Sequence, residues 1–115
     1  MTDLFRVQTE QSVHVIEMKL PEQLDPSEFD NLNQALLSLL DGKTKGWVLD
    51  FSAVDYVGSA MLGLMVNFRQ RVQSQKGRLV LCGVSTRLLE IIRTCCMDRL
   101  FPIAKTREQA VKLAK

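Results

Sequence analysis

Residues 48–66 read VLDFSAVDYVGSAMLGLMV and residues 77–85 read GRLVLCGVS, and these two stretches decide the fold. The first predicts a buried strand over 47–51, a turn, and a helix from about Ser59 to about Gln75 that Gly77 ends. The second predicts another buried strand over 78–82. Ser59 thus lies at the first turn of a helix on the rim of a sheet, where backbone amides favour an added phosphate. The apolar stripe predicted for this helix comprises Met61, Leu64, Met65, Phe68 and Val72.

The sequence before this segment predicts a hairpin and a helix. Strands over 5–8 and 13–20 are joined by a short turn, and the second places His14, Ile16 and Met18 on one face. Asp25-Pro26-Ser27-Glu28 predicts a helix start, because Asp25 can cap, proline suits the first helical position and Glu28 completes a capping box.

The sequence after it predicts a helix, an edge strand and a last helix. Ser85 or Thr86 caps the first of these helices, a short strand covers 100–103, and Thr106 with Gln109 starts the last helix. The order ββαβαβαβα predicts an α/β fold with a mixed, mostly parallel sheet of four to five strands and about four helices. We expect a single domain over residues 1–115.

Composition narrows the class of function. The chain has 115 residues, 46% of them hydrophobic, and a net charge of +2, too small to indicate nucleic acid binding. The scattered basic residues form one loose group, which we interpret as a solvated helix face more readily than as a docking patch: Arg69, Arg71, Lys76 and Arg78. No apolar run is long enough to span a membrane, and the N-terminal residues lack a secretory pattern.

The three cysteines indicate a reducing cytoplasm and not a disulfide framework. Cys95 and Cys96 are adjacent, without the spacing of redox or zinc motifs. Cys95 continues the apolar stripe of the third helix and is predicted to be in the core, whereas Cys96 is predicted to be partly exposed. A redox sensor is the alternative interpretation of this pair.

Ser59 has other interpretations. It can simply cap the helix. A serine hydrolase fits poorly, because G-x-S-x-G is absent and the sole histidine, His14, lies on an early strand. Asp25, Asp50 and Asp55 could suggest a metal or acid–base cluster, but turn and capping roles explain them better. No Gly-rich phosphate loop is present, and no cofactor is predicted.

These motifs, with LLEIIRTCCMDRLFPI over 88–103, resemble the STAS domain, and more specifically the bacterial anti-sigma factor antagonists. Leu24-Asp25 matches the family's Leu-Asp. The family's phosphorylation motif, Asp-Ser-Ser/Thr-Gly-Leu-Gly, corresponds to residues 58–63, so Ser59 matches the phosphorylated serine. Gly58 replaces the aspartate, Ala60 the second hydroxyl and Met61 the first glycine.

The resemblance implies a non-catalytic partner-switching protein. Such an antagonist binds an anti-sigma factor that is also a serine kinase of the histidine-kinase-like ATPase type, which frees a sigma factor and so regulates transcription. Phosphorylation at Ser59 separates the complex, and a metal-dependent serine phosphatase restores it; homodimerisation is left open. The expected partner-binding residues, all but Asp25 predicted to be exposed, are Asp25, Tyr56, Gly58, Ser59, Leu62 and Asn67.

Two other functions stay open. The chain could be a constitutive scaffold subunit of a stressosome-like or lipid-transport complex, which an exposed apolar patch at Val57, Met61 and Leu62 would favour. It could also sense a nucleotide, as some STAS proteins do, which a thermal shift with a nucleotide panel would reveal.

Overall fold

The structure, a computed structural model, describes residues 4–21 and 23–115. The predicted order of elements is confirmed. Most observed ends lie within two residues of the predicted ones, but the edge strand begins at Ile103 and not at Leu100. The elements are β1 (Phe5–Glu10), β2 (Val13–Met18), α1 (Pro26–Ser38), β3 (Gly46–Asp50), α2 (Ser59–Ser74), β4 (Arg78–Cys82), α3 (Thr86–Thr94), β5 (Ile103–Ala104) and α4 (Arg107–Ala114).

The five strands form one sheet in the order β1-β2-β3-β4-β5. β1 and β2 are antiparallel, and the other neighbouring pairs are parallel, which confirms the predicted mixed sheet. Because β2, β3 and β4 run in the same direction, the connections that follow them all leave the same edge of the sheet. Residues 51–58, which lead into α2, therefore lie at the carboxyl edge, next to the connections into α1 and α3.

Alternating side chains of the strands fill two cores. Ile16, Leu49 and Leu81 point to one face, where they pack with buried residues of α1, α2 and α3. The opposite face carries a smaller cluster of Val13, Val15, Val48, Val80, Cys82, Ala104, Ala110, Val111 and Ala114. The small side chains of α4 allow a close approach to the sheet: a Cβ on Gly46 would lie 2.6 Å from the Ala114 carbonyl oxygen.

Side chains cap three of the helices as the sequence predicts. The Asp25 carboxylate accepts a hydrogen bond from the Glu28 amide at 2.7 Å, and the Glu28 carboxylate accepts one from the Asp25 amide at 3.2 Å. Ser85 Oγ accepts from the Leu88 amide, and Thr106 Oγ1 accepts from the Gln109 amide. These bonds satisfy amides that a helix leaves free at its start.

α2 ends before Gly77, as the sequence predicts. The residue in the left-handed region is Lys76 (φ 63°), and glycine is needed at position 77 because a Cβ there would lie 2.7 Å from the Lys45 carbonyl oxygen. One prediction about a helix end is wrong. Cys95 is exposed and not in the core, because α3 ends at Thr94 and the chain turns away. Cys96, also exposed, continues that turn with φ 59°.

Candidate functional site

Ser59 is the first residue of α2, and its side chain is exposed. The N-cap residue is Gly58, which has no side chain to accept a hydrogen bond, and no side chain caps the helix. The prediction that Ser59 itself could be the cap is therefore wrong. Among the residues that the structure describes, the first-turn amides of α2 have no side-chain acceptor, in contrast to those of the other three helices. Such amides and the helix dipole favour negative charge at this position.

A groove of about 390 Å³ lies beside Ser59. One wall is the chain that enters α2, from Tyr56 to Met61, and the other is the chain that enters α1. We call this feature the Ser59 groove; the residues of the second wall are Leu20, Pro21, Gln23, Leu24 and Phe29. The groove therefore presents apolar surface next to an exposed hydroxyl, a combination that suits a protein partner sensitive to phosphorylation.

Tyr56 is an exposed aromatic residue on the rim of the groove, with 37% of its surface accessible. Arg87 of α3 lies over its ring, with the guanidinium carbon 5.2 Å from the ring centroid. The same guanidinium pairs with Asp55 at 3.4 Å. Arg87 thus connects the loop before α2 to α3, a role that no pattern in the sequence indicates. Exposed tyrosine and arginine are frequent contributors to protein interfaces.

The loop between β3 and α2 is held by its apolar residues. Val54 and Val57 are 4% and 3% exposed, and the Val54 amide donates to the Phe51 carbonyl. Their burial anchors a segment that has no regular secondary structure. It also fixes the position of Tyr56, which lies between these two valines, and of Gly58, which follows them.

The predicted site residues divide into those at the surface and those in the core. Asp25, Tyr56 and Ser59 are exposed, and Gly58 and Asn67 are partly exposed. Leu62 is only 2% exposed, so the prediction that it is exposed for docking is wrong; it packs in the larger core. Met61, also in that core, follows its predicted place on the helical stripe. Val57, Met61 and Leu62 therefore form no exposed apolar patch.

Asp50 belongs to a charged cluster on the α4 side of the sheet that the sequence did not predict. Its carboxylate accepts hydrogen bonds from the Ser52 amide at 2.8 Å and from the Ser52 hydroxyl. Arg107 lies 3.6 Å from Asp50, 3.3 Å from Glu17 and 3.5 Å from Glu10. We call these the Arg107 cluster. It spans β1, β2, β3 and α4, which is why sequence spacing could not reveal it.

Burial and the nearby Asp50 carboxylate raise the pKa of the Cys82 thiol to about 12. The thiol therefore stays protonated at neutral pH, which makes it a poor nucleophile. Cys82 is thus a core residue of the smaller cluster.

The other candidate chemistry is not assembled. His14 pairs with Trp47 near the beginning of β3, whereas Ser59 follows the opposite end of that strand. His14 instead contacts Thr9 Oγ1 at 3.0 Å and lies 3.9 Å from Asp41. Within residues 4–21 and 23–115, no group of three or more acidic, cysteine or histidine side chains could hold a metal ion. Among the same residues, no helix is long and apolar enough to cross a membrane.

Comparison with known proteins decides the family, because residues 6–110 match the STAS domain. The chain belongs to the STAS domain family. BtrV of Bordetella bronchiseptica, named as an anti-sigma factor antagonist, is 28% identical over 86 residues, which are 75% of this chain and 74% of BtrV.

Solved structures share the fold of this STAS domain. An anti-sigma-factor antagonist domain protein from Planctomyces limnophilus superimposes with a TM-score of 0.82 at 24% identity, covering 96% of this chain and 97% of its own. An anti-sigma factor antagonist from Mycobacterium paratuberculosis gives 0.81 at 21% identity, covering 96% and 92%. At these identities the likeness concerns the fold, and it agrees with the predicted α/β architecture.

Proposed function

We propose that this STAS domain is a non-catalytic, cytoplasmic antagonist of an anti-sigma factor, switched by phosphorylation of Ser59. The observation that carries the proposal is the exposed Ser59 hydroxyl at an uncapped helix start, directly beside an apolar groove. The name of BtrV, the relative that covers three quarters of the chain, supports the anti-sigma role.

The partner is an anti-sigma factor that is also a serine kinase of the histidine-kinase-like ATPase type. It docks over Tyr56 and Ser59 and along the Ser59 groove, where the bound complex excludes water from the serine. A phosphoserine carries roughly −1.5 to −2 charges at neutral pH. The free amides of α2 accommodate that charge in the free protein, while a packed partner surface must desolvate it. Phosphorylation therefore favours the separated state, and a serine phosphatase reverses it.

The scaffold alternative lacks the feature that would favour it. Val57, Met61 and Leu62 are 3%, 4% and 2% exposed, so they offer no apolar patch to a permanent neighbour. The groove is bounded instead by a mixture of backbone, the aromatic rings of Phe29 and Tyr56 and other apolar side chains, which suits a reversible interface.

The test is to purify the chain with each histidine-kinase-like ATPase of its source organism and measure binding by calorimetry. We expect Ser59→Asp to weaken the complex about tenfold or more, which corresponds to about 1.4 kcal/mol of lost binding free energy. Ser59→Ala should still bind. With ATP, mass spectrometry should locate one phosphate on Ser59 in the wild type and none in Ser59→Ala.

Ser27→Asp is the matched control, because Ser27 is also exposed in the first turn of a helix but does not line the groove. It should leave the affinity unchanged. Equal binding by the wild type and Ser59→Asp would contradict the switch. Failure of every such ATPase to bind the wild type would contradict the anti-sigma role itself.

A further inference from the structure

A second groove, of about 430 Å³, lies along the edge of the sheet at the other end of α2. It is bounded by Arg69 of α2, the start of β4, the chain before β5, and Leu113 of α4. Arg69 follows Ser59 by ten residues, which is about 15 Å along a helix axis. We call this feature the β4-edge groove. It is separate from the Ser59 groove and can be occupied independently.

One half of β4 has an unpaired edge in this groove. β4 pairs with β3 over its whole length, but β5 pairs only with Leu81 and Cys82. The Arg78 amide donates toward β3, to the Lys45 carbonyl, and the Leu81 amide donates toward β5, to the Pro102 carbonyl. Because successive residues of a strand alternate in direction, the amide and carbonyl of Leu79 point the same way as those of Leu81, into the groove.

The sequence explains why β5 does not cover Leu79. Continuing the register of Leu81 with Ile103 would place the nitrogen of Pro102 opposite the Leu79 carbonyl, and proline has no N–H to donate. The Leu100 carbonyl, which would accept from the Leu79 amide in that register, accepts instead from Arg69 Nε at 2.6 Å. Neither group of Leu79 bonds to the chain before β5 within the described residues.

The charge of the β4-edge groove has one sign. Arg69, Arg78 and Arg99 line it, and none of its described lining residues carries a carboxylate. In the part of the chain that the structure describes, none of the three forms a salt bridge. Beside them lies Leu113, an apolar side chain that is 51% exposed. Arginines without a carboxylate partner, a free strand edge and an exposed leucine are complementary to an extended segment with acidic and apolar residues.

We propose that the β4-edge groove binds an extended acidic segment of a partner protein, which adds to the sheet alongside the first half of β4. The segment's backbone bonds to Leu79. Side chains of an added strand alternate between the faces of the sheet. Its acidic side chains meet the three arginines that line the groove, Arg69, Arg78 and Arg99, and its apolar side chains meet Leu113 of α4.

The test uses a labelled peptide, Gly-Glu-Val-Glu-Val-Glu-Val-Gly, and the same peptide with lysine in place of glutamate. Fluorescence polarisation at low ionic strength should show at least tenfold tighter binding of the acidic peptide, weakening as salt is added. Methylation of the backbone nitrogens of its valines should reduce binding, and hydrogen exchange of the Leu79 amide should slow when the unmethylated peptide is bound.

Arg78→Glu and Arg99→Glu should each reduce binding of the acidic peptide tenfold or more. Arg71→Glu is the matched control, since Arg71 is an exposed arginine of α2 outside the groove, and it should bind like the wild type. Ser59→Asp should also bind like the wild type, so this result is separate from the fate of the proposed switch.

Equal binding of the two peptides, or an unchanged affinity in both Arg78→Glu and Arg99→Glu, would overturn the proposal. A third result would also overturn it: the wild type binds neither peptide, and the Arg78→Glu and Arg99→Glu variants self-associate in sedimentation experiments. That result would mean that the arginines protect a sheet edge from other copies of the chain.

Discussion

Asp50 and Gly58 lie eight residues apart, at the two ends of the connection from β3 to α2, and their surroundings differ. Asp50 is 8% exposed and is held by Ser52 and Arg107. Around Gly58, apart from its own chain neighbours, no atom of the described residues lies within 4 Å of the place where a Cβ would stand, and none of their side chains caps the helix that it begins. The first end of the connection thus tolerates little change, while the second can accept a new group without disturbing the core.

This difference suits a protein that is switched by modification. Under the proposed function, we expect a charge added at Ser59 to meet solvent and the first-turn amides of α2, and so to change what the surface binds while leaving the fold intact. The Arg107 cluster and the buried Val54 and Val57 hold the connection in place on the other side. Substitutions at each end measure how strongly the two ends differ.

The largest effect is expected for Gly83→Ala, beside Asp50. Gly83 has φ +65°, and a Cβ there would lie 2.7 Å from both Asp50 Oδ1 and the Ser52 amide, and closer still to Ser52 Oγ. Left-handed strain and forced displacement of these groups should cost about 3 kcal/mol of unfolding free energy. Urea denaturation measures this loss of unfolding free energy. The comparison variant is Gly58→Ala, which should differ from the wild type by less than about 0.5 kcal/mol.

If Gly83→Ala were as stable as Gly58→Ala, the contacts of Ser52 and Asp50 with this turn would be adaptable. The contrast between the two ends of the connection would then be wrong.

Arg107→Gln should have the next largest effect. Its guanidinium lies among the carboxylates of Glu10, Glu17 and Asp50, and its side chain is 29% exposed. Removing the charge leaves three carboxylates close together, which should cost about 2 kcal/mol, less than for a fully buried pair. Arg87→Gln is the control. Its pair with Asp55 is exposed on both sides, so the loss should be about 0.5 kcal/mol or less.

Urea denaturation of the two arginine variants gives the comparison directly. Equal losses of unfolding free energy in Arg107→Gln and Arg87→Gln would show that the Arg107 cluster contributes no more than an ordinary surface pair.

How far the sequence predicts the molecule depends on the range of the interactions. Capping residues such as Asp25 and Ser85 bond to amides within four residues, so the local sequence predicts their roles. The apolar periods of the strands predict which side chains are buried on the faces of the sheet. The Arg107 cluster and the contact of Arg87 with Tyr56 join residues from distant elements, which no local pattern encodes. The predictions for Cys95 and Leu62 are wrong for a related reason. The apolar spacing of α3 continues past the residue at which that helix ends, so it predicts a buried Cys95. The spacing of α2 does not show how wide its buried face is, so it does not reveal that Leu62 is buried.

Cys82 gives a prediction about alkaline pH. Burial and Asp50 raise the pKa of its thiol to about 12, from 9.0 for a free thiol. Between these values the folded protein keeps the proton and the unfolded chain loses it, so the unfolding free energy falls as pH rises. The loss from this group should be about 1 kcal/mol between pH 9 and 10. Urea denaturation at both pH values should show that loss in the wild type beyond any loss in Cys82→Ala.

Thiol labelling at pH 8 provides an independent check on Cys82. Cys95 and Cys96 are exposed and should react quickly, whereas Cys82 should react only after unfolding. Three thiols that react together in the native protein would contradict the burial of Cys82.

The smallest effect on stability is expected for Gly58→Asp, which restores the acidic residue of the motif. Gly58 has φ −85° and ψ 175°, an extended conformation that aspartate adopts without strain, and open space surrounds its Cβ position. The new carboxylate can accept a hydrogen bond from a first-turn amide of α2, which should stabilise the protein by about 0.5 kcal/mol relative to glycine. Urea denaturation would detect the gain, and Gly63→Asp, also exposed but within the helix, should show none.

Gly58→Asp also separates two explanations for the glycine. If the variant is more stable and is phosphorylated faster by the kinase partner, the glycine lowers the rate at which Ser59 is modified. If it is more stable but is phosphorylated more slowly, the new carboxylate occupies the amides that the phosphate needs, and the uncapped helix start is what the modified serine uses. A variant less stable than the wild type would contradict the open surroundings of Gly58, and with them the contrast between the two ends of the connection.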